Sequence, residues 1–470
     1  MECFIIWKRC FEMANSSKST TTTKGISTSV STLSDFNSRT HLTEKEQLDN
    51  EYIPAEHRDQ ANGQSSAGAL AHLLKGSLGS GILAMPMAFY NGGLLFSAVT
   101  TIVVGLLCTH CVHILVKTSQ EVCKQIKVPA LTFAETAEKI FENGPKSLRP
   151  WSNFAKNFVD CGLMGTYYAA NCVYIVFIAT SFHDVINYDF ELDWDVRIYI
   201  VLAMIPCLFI GQIRTLKLLV PFSAIANVLI VITFGIVLYY LFSGPMVFSD
   251  KPLLAKPAQI PLYFATVIFA MEGIGSVMPV ENAMVKPQQF LGCPGVLNIA
   301  MITVIGLYTV IGFFGYVHYG DAVRGSITLN LEEGDPLADT AKLMMAVAIL
   351  FTFGLQFFIP NEILWRKINH KFNEKNHNIT QIMLRTGIII VCTCICLAIP
   401  NLEPFISLVG AVFFSLLGIF VPSVCEAVYL YPDRLGWCKW KLYKNIFLGL
   451  FSLCALVAGA TASTKEIIEM

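Results

Sequence analysis

The run His72-Leu73-Leu74-Lys75-Gly76-Ser77-Leu78-Gly79-Ser80-Gly81-Ile82-Leu83-Ala84-Met85-Pro86 sets three glycines and two serines in the middle of an otherwise apolar stretch. Glycine and serine both weaken a helix, and backbone released from a helix at membrane depth is tolerated only where it lines a cavity or meets protein partners. A phosphate loop is excluded, because no strand precedes the run and no lysine follows Gly81. Close helix packing through small residues would use the same residue types. A second interruption favours the cavity reading: Glu272-Gly273-Ile274-Gly275 places an ionisable carboxyl and two glycines midway along another apolar stretch. The two interruptions lie five spans apart, the placement expected of two inverted five-helix repeats whose first helices are broken near the midplane. A half-helix N-terminus presents free N–H groups to an anion and a half-helix C-terminus presents carbonyls to a cation. An α-amino acid carries both charges on one carbon.

Composition agrees with a membrane setting. Of 470 residues 54% are hydrophobic and only 14% charged, with a mean hydropathy of +0.56, whereas soluble domains carry roughly 25% charged residues. Thirty-three Lys and Arg balance thirty-four Asp and Glu, so no basic excess exists to bind nucleic acid. Apolar windows of about 20 residues fall near 69–91, 94–117, 157–182, 196–211, 216–242, 260–282, 295–318, 340–365, 381–399, 404–430 and 443–463. The expectation is an all-α polytopic membrane protein of eleven transmembrane helices, a five-plus-five inverted repeat with helices one and six broken. Residues 1–66 read as a disordered, Ser/Thr-rich cytosolic tail, 67–465 as the transmembrane domain and 466–470 as a short extracellular or lumenal C-terminus. The segment Pro129 to Glu142 is apolar on one face and reads as an interfacial helix.

Charge bias orients the chain. Loops on the tail's side hold Lys124, Lys139, Arg214, Lys367 and Lys375 among others, while the opposite side holds Arg197, Lys251, Lys256, Arg324 and Lys465. The positive-inside rule therefore puts the N-terminus in the cytosol. Fifteen cysteines lie almost wholly in or beside spans, which leaves no disulfide framework for the outer loops. Cys108, His110, Cys111 and His113 cluster like a metal site, yet two hydrogen-bonded packing histidines are the preferred reading. No GxxxxGK motif supports an ATP-driven engine. Asp160, Glu281, Glu362 and Glu426 fall near helix ends, where pairing with Lys or Arg is expected.

At these residues a resemblance emerges. The first-span run, Phe269-Ala270-Met271-Glu272-Gly273-Ile274-Gly275 leading to Pro279-Val280-Glu281-Asn282, then Gly325-Ser326-Ile327-Thr328-Leu329-Asn330-Leu331, Pro360-Asn361-Glu362 and Ile406-Ser407-Leu408-Val409-Gly410 together resemble the proton-coupled amino acid transporters. These form a branch of the amino acid/auxin permeases within the amino acid/polyamine/organocation superfamily. The resemblance covers about residues 68–463. It implies a transporter of small neutral amino acids with protons, not an enzyme, and places His72 on the histidine that the family associates with proton coupling. Some relatives join two outer loops by a disulfide whose cysteines are lacking here.

The chemistry agrees with the role that the resemblance implies for His72, and Glu272, an intramembrane carboxyl, is the other candidate for proton coupling. An imidazole titrates near pH 6.5, between an acidic exterior and a neutral cytosol, and His72 sits one turn before Gly76. The substrate site is expected at Gly76, Ser77, Gly79, Ser80, Gly81 and Gly273, walled by Phe269, Tyr167, Tyr174, Phe353 and Gln356. No second intramembrane acid stands ready for a cationic side chain, so alanine, glycine or proline fits better than lysine. No cofactor is expected beyond the proton as coupling ion. The expected partners are small neutral amino acids, protons and the lipid bilayer, at the plasma membrane or the late endosomal and lysosomal membrane. Alternatives are a proton-independent facilitator, and an amino-acid sensor that signals to cytosolic partners through its tail.

Overall fold

The computed structural model describes residues 52–469, apart from 59–62, 78, 245, 247, 249, 250, 272, 293 and 433. The first apolar stretch is three helices rather than one: α1 (Ser66–Ser77), the single turn α2 (Ser80–Leu83) and α3 (Met85–Gly92). Pro86 opens α3 near its N-terminus, where its missing N–H costs nothing. Gly93 ends it at φ +87°, and a Cβ there would come within 2.6 Å of the Ala255 nitrogen, so only glycine turns the chain into α4 (Leu94–Ile126). Next come the short α5 (Phe133–Glu142), α6 (Ser152–Asp189), α7 (Val196–Gly211) and α8 (Leu216–Ser243). The sixth apolar stretch is again interrupted, as α9 (Ile260–Ala270) and α10 (Ile274–Asn282). It is followed by α11 (Val296–Tyr319), α12 (Pro336–Ile368), α13 (His377–Ala398), α14 (Leu402–Val409), α15 (Val421–Leu430) and α16 (Trp440–Glu469).

The chain is thus an all-helical polytopic membrane protein. Among the described residues nine helical segments are long and apolar enough to cross a bilayer. The eleven expected spans include two that fall short of that length: α7, with 16 residues, and the broken run α1–α3. Burial sorts centre from rim. Of the apolar window in Arg149–Asp189 and in Leu402–Leu430, 67% is buried, against 22% in Leu218–Ser243 and Trp437–Glu469. The latter two expose Val220, Val228, Val231, Phe447 and Val457, side chains that gain nothing from water and suit lipid.

The segment Pro129 to Glu142 is helical from Phe133 to Glu142. Thr132 and Glu135 make a reciprocal capping box, and Phe133, Ala134, Ala137 and Ile140 are buried beneath α5. Helix-end carboxylates are paired: Asp160 with Lys367 at 2.8 Å, Glu426 with Lys444 at 2.6 Å and Glu281 with Arg58 at 3.3 Å. Lys444 also lies 3.0 Å from His110 Nε2, which ties that histidine into helix packing.

Three features depart from the sequence reading. Part of the segment assigned to the tail is structured: Pro54–His57 form a 3-10 turn with Pro54 and Ala55 buried. Arg58 then donates to the Pro129 carbonyl at 2.8 Å and the Glu281 carbonyl at 3.0 Å. Secondly, Gly410–Phe414 and Leu416–Phe420 are π-helical. They lie where this span crosses α9, and a Cβ on Gly410 would overlap the Ala265 carbonyl. Finally, α16 continues to Glu469, past the boundary drawn at 465.

Candidate functional site

Where α1 stops at Ser77 the Gly79 N–H returns to the Ser77 carbonyl at 2.9 Å, a local turn replacing the helical ladder. Glycine at 79 and 81 serves two different ends. A Cβ on Gly81 would lie 2.9 Å from Ala270 Cα and 3.1 Å from its carbonyl oxygen, so this glycine lets the two interrupted spans touch. A Cβ on Gly79 would meet nothing within 4 Å, so open space adjoins that backbone among the described residues. Gly76 comes close to the second interruption, 3.7 Å from Ser276 Oγ by the same construction. Ser276 in turn donates to the Gly273 carbonyl at 2.8 Å, closing the first turn of α10.

Three helices wall this junction. Tyr174 of α6 brings its hydroxyl beside both Ser80 and Gln356, so the break, α6 and α12 meet at one polar point. Gln356 Oε1 is buried with no hydrogen-bond partner among the described residues. Tyr167, two turns earlier on α6, brings its hydroxyl within 2.6 Å of where a Cβ on Gly275 would stand. Between them Asn171 is fully buried, bonded through Nδ2 to the Tyr167 carbonyl at 2.7 Å, its Oδ1 without a partner among the described residues. From α11, Tyr308 donates its hydroxyl to the Ser77 carbonyl.

The structure therefore brings Gly76, Ser77, Gly79, Ser80, Gly81, Gly273, Tyr167, Tyr174 and Gln356 to one junction. Phe269 borders it, its ring stacked at 5.3 Å on Phe414 of the π-helical stretch. Phe353 is wholly buried and stacks on Phe357 at 5.4 Å, which makes it a core residue. His72 is exposed on α1. Its neighbour Lys75 turns to α8 and hydrogen-bonds Ser223. Glu272 lies outside the described residues. Sequence reasoning missed Tyr308 and Asn171; each is a polar group in an apolar run, the signal that could have found them.

One end of the bundle opens into a cavity of about 750 Å3 that reaches Met87 of α3 and Thr180 of α6 and is bordered by Arg324 and Glu403. Arg324 bridges from the Gly325–Leu331 loop to Asp184 of α6, at 2.5 and 3.3 Å, and Asn91 of α3 donates to Glu403 at 3.1 Å. The junction lies below this vestibule. Tyr174→Phe should weaken substrate binding about tenfold, the equivalent of about 1.4 kcal/mol, by removing the hydroxyl that stands beside both Ser80 and Gln356. Equilibrium binding of labelled amino acid would measure it, and unchanged affinity would remove Tyr174 from the site.

Two broken helices crossing at mid-bundle, with polar side chains from three neighbours, define a secondary-transporter architecture. The structure of Mhp1 in its inward-facing conformation shares this fold, with a TM-score of 0.52 and 10% identity over 88% of this chain and 91% of that one. Residues 62–465 match the family described as transmembrane amino acid transporter protein, and the chain belongs to that family. A Drosophila melanogaster protein named proton-coupled amino acid transporter-like protein pathetic is 37% identical over 91% of this chain and 90% of its own. The probable amino acid transporter skat-1 of Caenorhabditis elegans is 24% identical over 85% and 90%. The family is one of amino acid transporters rather than enzymes.

Proposed function

We propose that this amino acid transporter is a proton symporter that carries small neutral amino acids into the cytosol by alternating access. The observation that carries the reading is the Tyr174 hydroxyl standing beside Ser80 and Gln356, next to open space at Gly79. The substrate carboxylate would face the N–H groups at the start of α2 and α10, and its ammonium the carbonyl ends of α1 and α9. No paired carboxylate reaches the junction among the described residues to receive a cationic side chain, which favours the alanine, glycine and proline class. Proton coupling is drawn from the resemblance at His72 and from the name of the Drosophila relative, with Glu272 as the other titratable candidate.

One proton entering with one zwitterion yields about 2.3 kcal/mol per 100 mV and about 1.4 kcal/mol per pH unit. The orientation follows the charge bias, N-terminus in the cytosol, in the plasma membrane or the late endosomal and lysosomal membrane. Epitope tags at the two ends should label on opposite sides, and same-side labelling would refute an odd number of spans.

Substrate-evoked current under voltage clamp at two external pH values tests the coupling. Current should grow on acidification, and His72→Ala should lose that growth while substrate binding persists. His72→Arg should not rescue it, because a permanent charge cannot cycle. Full acid-stimulated current in His72→Ala would pass the proton to Glu272, and specific binding without flux would favour a sensor.

A further inference from the structure

A separate cavity of about 250 Å3 lies at the opposite end of the bundle from the vestibule, between α12, α13 and the turn joining α7 to α8. Its walls carry unlike chemistry. On one side stand two guanidinium groups, Arg385 and Arg214. Arg385 is only 5% exposed and is fixed through Nη1 to the carbonyls of Gly211 at 2.9 Å and Ile213 at 2.8 Å. Those bonds use one nitrogen of a group with five N–H donors. Arg214 is held by Asn378, through its side-chain oxygen and its carbonyl.

On the other side stand acceptors. Asn361 is 2% exposed and spends its Nδ2 on the Phe357 carbonyl at 2.6 Å. Its Oδ1 is buried with no partner among the described residues, and a buried acceptor in that state calls for a donor. The carboxylate of Glu362 is its neighbour on the wall, while Trp365 and Leu384 supply apolar surface.

We propose that this cavity is a second amino-acid site, distinct from the junction at Ser80 and Tyr174. The ligand's carboxylate would meet Arg385 and Arg214, its ammonium Glu362 and Asn361 Oδ1, and a small side chain would lie between Trp365 and Leu384. A phosphate group would satisfy the arginines but set its oxygens against Glu362 and the orphan amide oxygen. A simple cation would face two guanidinium groups. The volume is below the roughly 300–1,000 Å3 of drug-sized pockets, which suits a metabolite as small as an amino acid. Along α12, Asn361 is five residues beyond Gln356, about 7.5 Å, so the two sites can be filled independently. In the proposed orientation the cavity opens on the cytosol, where the transported product accumulates, and occupancy would report the product's concentration to the carrier. This inference rests on the reading that the cargo is a neutral amino acid.

The test is equilibrium binding of labelled L-alanine to the full chain in nanodiscs of zwitterionic lipid. Two sites per protein are expected. Leu384→Trp, which fills the cavity while leaving the Arg385 bonds in place, should remove one, and Glu362→Gln should weaken the same one at least tenfold. Gly79→Val should remove the other. A single site that Gly79→Val abolishes and Leu384→Trp leaves intact would overturn the second site and spare the proposed function. A single site lost only in Leu384→Trp would do the reverse. Displacement of the Leu384-dependent site by inorganic phosphate, or its loss in nanodiscs of anionic lipid, would show that the cavity takes phosphate instead.

Discussion

Gly79→Val is expected to insert and fold like the parent protein yet carry amino acid at background rates, whereas Gly81→Val should fail to accumulate as folded protein. The two positions lie two residues apart, and the difference comes from what each glycine faces. At Gly81 any Cβ runs into the Ala270 backbone, at 2.9 Å from its Cα, and backbone cannot swing aside as a flexible side chain can. The interrupted spans would have to separate, with loss of packing along α2 and α9. At Gly79 the added atoms enter space that nothing within 4 Å occupies among the described residues, so the fold has no reason to object. That space adjoins Ser80, which stands beside the Tyr174 hydroxyl, and a branched side chain there would stand where the proposed site puts the cargo's carboxylate. Uptake normalised to folded protein at the membrane, with thermal unfolding monitored by size-exclusion chromatography, separates the two effects. Normal uptake by Gly79→Val would remove the junction as the binding site.

Arg58→Ala is expected to destabilise the protein by about 3–5 kcal/mol, the usual cost of stripping one partner from a buried ion pair. The side chains of Arg58 and Glu281 are 8% and 2% exposed. The guanidinium reaches the Glu281 carboxylate, the Glu281 carbonyl and the Pro129 carbonyl, and Gln120 of α4 donates to the same carboxylate at 2.7 Å. Removing Arg58 leaves a carboxylate in a dry setting with one amide donor. Glu281→Gln should cost less, because the amide stays neutral, and pairing Arg58→Met with Glu281→Leu should recover part of the loss. Midpoint temperatures of the four proteins decide it, and an unchanged Arg58→Ala profile would show the carboxylate to be solvated.

Both interruptions were legible because glycine, serine and a carboxyl are costly at membrane depth, so their presence there signals a purpose. The paired carboxylates at Asp160, Glu281 and Glu426 were legible from their place near helix ends, whereas Glu362, read in the same way, has no ion pair among the described residues. The ordered segment before α1 was not. Residues 52–58 have the polar composition of the tail around them, and what fixes Arg58 is a carboxylate 223 positions away, a distance that no local pattern records. The π-helical stretch was hidden too, since Gly410 and its neighbours read as an ordinary apolar run until α9 is seen pressing against them. Phe353 and Gln356 illustrate the limit on side-chain direction. They lie nearly one turn apart on α12, yet one stacks on Phe357 and the other meets Tyr174.

The Tyr308 hydroxyl, resting on the Ser77 carbonyl, has a bearing on the half of the cycle in which nothing is carried. On the proposed function the carrier must also reset empty, passing through closed shapes in which neither water nor ligand could supply a second donor to this oxygen, which already accepts the Gly79 N–H. A donor tethered by α11 would supply that second bond without having to be fetched from either bath, so that an unloaded protein keeping the contact would cross with its helix end already quenched. At the proposed site the cargo would then need to supply only the contacts that Tyr308 does not.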